Sequence, residues 1–238
     1  MKSTIAQIKR KARNLLVKLT GKVTHLKKGI KCKNIWYGNK YGGFYACPDL
    51  LNENSIVYSF GIGQDISFDT AMIENHNCHV FGFDPTPKSI NWVNNQELPS
   101  KFIFFNYGIS NKSGLADFYL PKNSEHVSGS LTVQNNINVM EKVTVKMKSI
   151  EDIANELGHK HIDVLKMDIE GAEYDVVENI LNSKISIAQI LIEFHDRFFI
   201  KEKLKSRQTI KKLNNYGYEI FAVSDTFEEI SFIKKSFL

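Results

Sequence analysis

The sequence predicts an α/β fold with a mostly parallel sheet and helices on both of its faces. From residue 55 onward, short apolar runs alternate with segments of helical periodicity, and this alternation is typical of parallel βαβ units. The first run enters a glycine turn, Gly61-Ile-Gly63, and the second ends on Asp84. A glycine turn and an acid at successive strand ends are how a doubly wound sheet builds a nucleoside pocket. We therefore predict a Rossmann-like domain over residues 35–238.

Length and composition indicate one soluble globular domain. The 238 residues suffice for one sizeable core, and 42% hydrophobic with 24% charged residues is an ordinary balance. The chain has no run near the roughly 20 apolar residues of a membrane span, and its basic start lacks a signal-peptide core. Cys32, Cys47 and Cys78 form no CxxC pair. We therefore expect reduced thiols and a cytoplasmic location.

The charge is divided between a basic N-terminal arm (residues 1–34) and an acidic remainder. Residues 1–48 hold twelve of the 31 Lys and Arg and no acid, which leaves 19 basic against 26 acidic groups, a net of −7. Nucleic-acid binding is therefore not expected, since its positive charge would cover the folded face. Residues 4–20 read as a basic amphipathic helix. It either docks on an anionic inner membrane face or, as we favour, packs on the body or on a second subunit.

The individual elements follow from these patterns in order. Residues 35–47, dense in glycine and aromatics, form either a lid over a ligand or an edge hairpin. Strands are predicted at 56–60, 79–83, 102–105, 162–167, 187–194 and 218–223. Helices are predicted at about 65–77, 87–97, 149–157, 172–182 and 201–215. Residues 115–120 and 143–147 alternate like antiparallel strands around a polar loop at 121–138. A last run at 230–233 suggests a hairpin with the preceding strand.

The glycine turn favours S-adenosylmethionine over a dinucleotide. The dinucleotide fingerprint has a third glycine where this chain has Ile66, and Asp65 places a negative charge where a diphosphate would bind. A carboxylate there suits the ammonium group of a methionine moiety. The cofactor pocket is therefore predicted to include the residues of this turn and its approach, namely Ser59, Phe60, Gly61, Gly63 and Asp65.

The ends of the second and third strands complete the predicted cofactor pocket. Asp84 precedes Pro85, so its carboxylate lies at a strand tip, where it either binds ribose hydroxyls or caps the next helix. The ribose role is the one we favour. The third strand leads into Asn106-Tyr-Gly108, which we place beside the adenine.

Charged residues at two neighbouring strand tips form the predicted reacting side. Asp168 and Glu170 follow the fourth strand, and His195 follows the fifth. Asp168 is also predicted to belong to the cofactor pocket. Methyl transfer needs an aligned acceptor and a group that removes its proton. His195 is our first choice of base because its ordinary pKa is near 6.5; Asp168 is the alternative base or orienting group. Glu170 and Lys166 complete the candidate catalytic set, unless they form only a structural network at a helix N-terminus.

Four segments of the chain resemble the FkbM-type family of S-adenosylmethionine-dependent methyltransferases. They are Tyr58-Ser-Phe-Gly-Ile-Gly-Gln-Asp-Ile-Ser-Phe-Asp69, Phe81-Gly-Phe-Asp-Pro85, Asp163-Val-Leu-Lys-Met-Asp-Ile-Glu-Gly-Ala-Glu173 and Ile192-Glu-Phe-His195. The resemblance spans about residues 40–220 and implies a class I methyltransferase sheet of seven strands with the last one reversed. It implies O-methylation of hydroxyls on sugars or secondary metabolites. It also implies that a serine-rich loop, here with Ser130, approaches the cofactor.

Several alternatives stay open at this point. The two strand tips could hold a divalent cation, as in several O-methyltransferases on this fold, but the spacing does not demand one and we do not favour it. An NAD-type oxidoreductase and a non-catalytic binding protein are the competing function classes. The expected partner is a small-molecule or glycan-precursor acceptor, and a nitrogen acceptor is not excluded. The sequence indicates no oligomeric state.

Overall fold

The computed structural model describes residues 23–121, 137–199 and 204–238. The predicted amphipathic helix at 4–20, and with it most of the basic arm, lies outside the described residues. The same holds for Ser130 and most of the polar loop around it.

From residue 56 onward strands and helices alternate, except over residues 106–148, where the sequence predicts antiparallel strands instead, and at the C-terminal hairpin. The strands are β1 (Ile35–Tyr37), β2 (Phe44–Ala46), β3 (Ile56–Phe60), β4 (His79–Phe83), β5 (Phe102–Phe105), β6 (Gly108–Ile109), β7 (Gly114–Pro121), β8 (Ile137–Lys148), β9 (His161–Met167), β10 (Ser186–Glu193), β11 (Tyr218–Val223) and β12 (Glu229–Lys234). The helices are α1 (Ser67–His76), α2 (Pro87–Val93), α3 (Ile150–Leu157), α4 (Glu173–Asn182) and α5 (Lys205–Asn215).

A seven-stranded sheet in the order β11-β12-β10-β9-β3-β4-β5 forms the centre of the fold. Strands β5, β4, β3, β9 and β10 pair in parallel, whereas β12 is antiparallel to both β10 and β11. The expected fold class, including the C-terminal antiparallel hairpin, is confirmed. From β3 the chain proceeds outward in one direction to β5, and from β9 it proceeds in the other. The crevice beyond the carboxyl ends of β3 and β9 is thus the topological switch point, where ligands bind in open α/β sheets.

Each face of the sheet carries its own apolar core because neighbouring strand residues point to opposite sides. Tyr58 and Leu165 pack with side chains of α3, α4 and α5 on one face. Val57 and Val164 pack on the other face with α1, α2 and the β1–β2 hairpin. The two layers bury the parallel strands on both sides, which explains their nearly continuous apolar sequences.

Two smaller sheets surround the site. The β1–β2 pair is the antiparallel hairpin that one alternative of the sequence prediction expects for residues 35–47. The lid alternative stays a prediction, since Tyr41 and Gly42 in the turn of this hairpin line the cavity described below. Strands β6, β8 and β7 form a three-stranded sheet, and the β7–β8 pair is antiparallel as expected. Helix α2 ends at Val93 instead of the predicted residue 97. The side-chain amides of Asn95 and Gln96 donate to the backbone carbonyls of the residues four positions earlier. Within the described ranges, no helix has the length and apolar character needed to cross a membrane.

Candidate active site

The tips of β3, β4 and β9 are tied together at the glycine turn. The Gly61 amide donates to the Phe83 carbonyl at 3.0 Å, and the Asp168 amide donates to the Phe60 carbonyl at 3.1 Å. Gly61 has a φ of +80°, and a Cβ atom at this position would clash with the carbonyl oxygen of Asp168. Glycine is therefore required, since only glycine combines this φ with so close a backbone approach.

A cavity of about 340 Å³ lies at these strand tips. Its volume falls within the range of small-molecule sites. Its lining comes from the glycine turn, the loops after β4 and β9, the β1–β2 turn and the three-stranded sheet. The lining residues are Tyr41, Gly42, Phe60, Gly61, Ile62, Gly63, Gln64, Asp65, Phe83, Asp84, Pro85, Thr86, Gly108, Ile109, Phe118, Met147, Asp168, Ile169, Glu170 and Ala172.

Asp84 reaches the cavity while it also holds the glycine turn in place. One carboxylate oxygen accepts from the Gly63 amide at 2.9 Å, and the other accepts from the amide and hydroxyl of Thr86 at 2.8 and 2.6 Å. Burial raises its pKa above the ordinary value, although these hydrogen bonds oppose the shift. The N-cap of α2 is Thr86, whose hydroxyl accepts from the Ser89 amide, so Asp84 does not cap that helix.

Asp65 connects the glycine turn to the β1–β2 hairpin. Its carboxylate accepts from the Asn39 side-chain amide at 2.7 Å and from the Ser67 backbone amide at 2.8 Å. A Cβ atom on Gly42 would clash with the same carboxylate. The turn of the hairpin therefore lies beside the glycine turn, and its residues Tyr41 and Gly42 form part of the cavity lining.

Four of the predicted site residues in the described chain do not line the cavity, namely Ser59, Lys166, Asn106 and His195. Ser59 and Lys166 lie one residue before the ends of their strands and share the α1 face with Val57 and Val164, because side chains alternate along a strand. Lys166 is 4% exposed and donates to the Gly61 carbonyl at 3.0 Å, so it stabilises the glycine turn from the α1 face of the sheet. The exposed Asn106 lies outside the lining, whereas Gly108 belongs to it.

His195 lies behind the cavity and is 0% exposed. Its Nε2 atom is 3.6 Å from Asp168 Oδ1, 3.3 Å from Glu170 Oε2 and 3.5 Å from Glu193 Oε1. Its Nδ1 atom is 3.2 Å from Glu173 Oε1, and its backbone amide donates to the same oxygen at 2.9 Å. The structure thus brings Asp168, Glu170 and His195 together, as the two strand tips predicted.

The surroundings of His195 do not suit the general base that the sequence predicts. Burial alone would lower its pKa, but the hydrogen bond and charge of Glu173 and the charges of Asp168 and Glu170 raise the pKa to about 10. With this pKa the ring is an imidazolium at neutral pH and cannot accept a further proton, and His195 is not among the described residues that line the cavity. Burial, together with the Asp168 charge, raises the pKa of Glu193 to about 8. Asp168 and Glu170, in contrast, both face the cavity.

Glu170 owes its direction to an uncommon backbone conformation. Its φ is +52°, in the left-handed region that non-glycine residues rarely adopt, and Gly171 follows at +97°. Glu173, in the first turn of α4, accepts from the Gly171 amide at 2.8 Å and so fixes this turn. The strain directs a second carboxylate into the cavity next to Asp168, a placement that commonly marks a functional site.

The cavity is lined by acids and by apolar groups. Asp65, Asp84, Asp168 and Glu170 contribute carboxylates, and the described lining residues include no Lys, Arg or His. A phosphate-bearing ligand would meet repulsion here, whereas a ligand with cationic groups would be attracted. The apolar lining includes Ile109, Phe118 and Met147, which offer packing to a flat heterocycle.

Sequence reasoning did not predict several of the lining residues. It placed Glu193 on the same side of the strand tip as His195 but gave it no role. Phe118 and Met147 come from β7 and β8, and only the pairing of those strands brings them to the cavity. Thr86 was detectable because it lies two residues after Asp84. The role of Glu193 was also detectable, since it lies two residues before His195 on the same strand tip.

Comparisons with known proteins add a family assignment. A family model described as the methyltransferase FkbM domain matches residues 46–220, well over half of the chain. The human probable methyltransferase-like protein 24 is 26% identical over 64% of this chain and 36% of its own length. The hexuronic acid methyltransferase AglP of Haloferax volcanii is 25% identical over 52% of this chain and 51% of its own. The 2-O-methyltransferase NoeI of Sinorhizobium fredii is 24% identical over 58% and 62%.

The chain spans between about a third and three-fifths of the length of these relatives. Among solved structures, a Methanococcus jannaschii fibrillarin pre-rRNA processing protein aligns with 88% of this chain and 85% of its own, at 13% identity and a TM-score of 0.46. The family assignment therefore rests on the sequence match to the family model.

Proposed function

The chain belongs to the FkbM methyltransferase family, and from that premise we propose that it transfers the methyl group of S-adenosylmethionine to a hydroxyl of a sugar or small metabolite. One observation carries the proposal: the cavity at the switch point presents four carboxylates, and none of its described lining residues is basic. S-adenosylmethionine carries a sulfonium and an ammonium group against one carboxylate. A nicotinamide dinucleotide carries a diphosphate, which the four carboxylates would repel. This disfavours the oxidoreductase alternative.

The residues of the cavity fit this cofactor. Asp84 retains acceptor capacity for ribose hydroxyls, since each carboxylate oxygen accepts more than one hydrogen bond. Asp65, at the glycine turn, is positioned to attract the ammonium group. Ile109, Phe118 and Met147 provide the apolar contact that an adenine needs. When bound, S-adenosylmethionine supplies a methyl group on a positively charged sulfur.

Methyl transfer requires little covalent help from the protein. The enzyme must align the acceptor oxygen with the methyl group and accept the hydroxyl proton. Asp168 and Glu170 are the carboxylates that face the cavity from the β9 tip, and we infer that one of them takes this proton. Lys166 supports the reaction indirectly, because its bond to the Gly61 carbonyl holds the turn in place.

The relatives' names support a sugar hydroxyl as the acceptor. One is called a hexuronic acid methyltransferase and another a 2-O-methyltransferase. A cytoplasmic location and membrane contact through the N-terminal arm remain proposals from the sequence alone.

Product analysis tests the proposal directly. The full chain is incubated with S-adenosylmethionine and a panel of nucleotide sugars and polyol metabolites, and products are read by mass spectrometry. We expect a 14-dalton gain on at least one hydroxyl compound and formation of S-adenosylhomocysteine. Binding of NAD⁺ in place of S-adenosylmethionine, with hydride transfer from a hydroxyl-bearing carbon of any panel member to NAD⁺ and formation of NADH, would contradict the proposal.

A further inference from the structure

The imidazole of His195 presents an unbonded nitrogen to a group of carboxylates. The side chain is 0% exposed, and its Nε2 atom makes no hydrogen bond. Carboxylate oxygens of Asp168, Glu170 and Glu193 nevertheless surround this atom at 3.3–3.6 Å. Asp168 Oδ1 is likewise buried without a hydrogen bond. A buried polar atom without a partner is costly, so the arrangement calls for a further ligand.

Glu173 fixes the orientation of the ring. It is 0% exposed and contacts Nδ1, whereas the other three carboxylates lie around Nε2. Because Glu173 accepts the Nδ1 proton, a cation that displaces the proton on Nε2 would find this nitrogen 3.5–3.6 Å from carboxylate oxygens of Asp168 and Glu193. A carboxylate behind a histidine in this way is the usual outer support of a metal-ligating imidazole.

The distances from His195 Nε2 to the two candidate carboxylate ligands are close to those between ligands of one metal ion. One atom each from Asp168, Glu193 and His195 lie within 4.8 Å of one another. Nε2 is 3.6 Å from Asp168 Oδ1 and 3.5 Å from Glu193 Oε1. Ligands about 2.0–2.2 Å from one ion are separated by about 3.3–3.6 Å in tetrahedral geometry and by about 2.8–3.1 Å in octahedral geometry. Only small side-chain movements would be needed to bind an ion.

The local charge also favours a cation. Four carboxylates, those of Asp168, Glu170, Glu173 and Glu193, surround this one imidazole. Arg197 reaches the group from its rim, where it bonds Glu193 Oε1 at 3.2 Å and also pairs with Glu228. Its charge is thus shared with an acid outside the group. The carboxylates of Asp168 and Glu170 line the cavity, which gives an ion a route in from solvent.

We propose that Asp168, Glu193 and His195 bind one divalent cation at the inner edge of the cavity. One nitrogen and two carboxylate oxygens suit a cation of intermediate hardness, of which Mn²⁺ is a representative probe. The sequence spacing alone did not favour a metal; the unbonded, Glu173-supported Nε2 is the observation that reverses this preference.

The catalytic role of the cation rests on the proposed methyl transfer. A cation at Asp168 would bind the acceptor hydroxyl and lower its pKa. The hydroxyl proton then passes to Glu170. The new oxygen–carbon bond forms as the sulfur–methyl bond breaks, and the sulfur keeps the electron pair in S-adenosylhomocysteine.

A binding measurement that needs no activity tests the site. The full chain is freed of metal with EDTA, exchanged into metal-free buffer and titrated with Mn²⁺, and free Mn²⁺ is followed by electron paramagnetic resonance. We expect one ion per chain. Glu193→Gln and Asp168→Asn, which keep side-chain shape, should each lower the affinity by at least about 10-fold, the lower end of what even outer-shell changes cost. Glu178→Gln, on the exposed surface, is the matched control and should bind like the wild type.

Two results would overturn the inference. One is a wild-type chain that binds neither Mn²⁺ nor Mg²⁺ nor Zn²⁺ at millimolar concentration; the other is equal Mn²⁺ binding by Glu193→Gln and Glu178→Gln. Thermal unfolding in EDTA verifies that each variant is folded, and the wild-type titration decides the question even if a variant is not. Calorimetry with S-adenosylmethionine separates the two proposals. A chain that binds S-adenosylmethionine but fails to bind any of the cations contradicts only the metal site. A chain that binds a cation but fails to bind S-adenosylmethionine contradicts only the methyltransferase proposal.

Discussion

Replacement of Asp84 by alanine tests the cofactor pocket most selectively. The carboxylate accepts three hydrogen bonds, from the Gly63 amide and from the amide and hydroxyl of Thr86, and it is 5% exposed. In the proposed complex it also accepts from ribose hydroxyls. Loss of a hydrogen bond to a charged group costs about 1–3 kcal/mol, so the Kd for S-adenosylmethionine should rise about 5- to 150-fold. The Gly63 amide loses its acceptor too, so the free energy of unfolding should fall by a similar amount.

The assay is isothermal titration calorimetry with S-adenosylmethionine, combined with urea unfolding of the same samples. Asp163→Ala is a matched control. Its carboxylate accepts from the Ile56 amide at 2.8 Å, but at the opposite end of the parallel strands. The control should lose stability and keep cofactor affinity. A folded Asp84→Ala protein that binds S-adenosylmethionine like the wild type would refute the ribose role.

Three further predictions concern the acid that takes the proton, the lysine under the turn and a partly buried histidine. Glu170→Gln should lower turnover about 10²–10⁴-fold, the usual contribution of a general base, with cofactor affinity retained in calorimetry; an unchanged rate would assign the proton to Asp168. Lys166→Met removes the bond to the Gly61 carbonyl and should lower the free energy of unfolding by about 1–3 kcal/mol in urea titrations. A lost turnover with unchanged stability would instead make Lys166 catalytic. Burial lowers the pKa of His159, whose Nδ1 is 2.8 Å from the Tyr58 hydroxyl. As the pH falls below the ordinary pKa near 6.5, His159 is protonated more readily in the unfolded chain than in the folded chain. The free energy of unfolding is therefore unaffected by this histidine above that pH and decreases below it. His159→Gln should reduce the loss of stability between pH 7 and pH 5 in urea unfolding, and an equal loss in both proteins would contradict this origin.

Most of the sheet could be predicted from the sequence because its strands are buried on both faces. The runs at 56–60, 79–83 and 102–105 coincide with β3, β4 and β5. Each run is bounded by glycine, proline or polar residues that end a strand, so its limits were visible locally. The reversed C-terminal strand was likewise detectable, since a turn separates two apolar runs.

The site was only partly predictable because its function depends on side-chain direction and on distant neighbours. Lys166 and Asp168 lie two residues apart, yet the strand ends at Met167, so Asp168 enters the cavity while Lys166 points under the turn. The raised pKa of His195 depends on Glu173, which lies 22 residues earlier on α4. No local pattern contains that contact.

The central claim is that the pocket at the glycine turn binds a sulfonium nucleoside and not a dinucleotide. Calorimetric titration of the full chain with S-adenosylmethionine and, in parallel, with NADH measures this directly. The account predicts one S-adenosylmethionine per chain and no heat of binding from NADH at the same concentrations. Tighter binding of NADH, lost on replacement of Asp84, would contradict it.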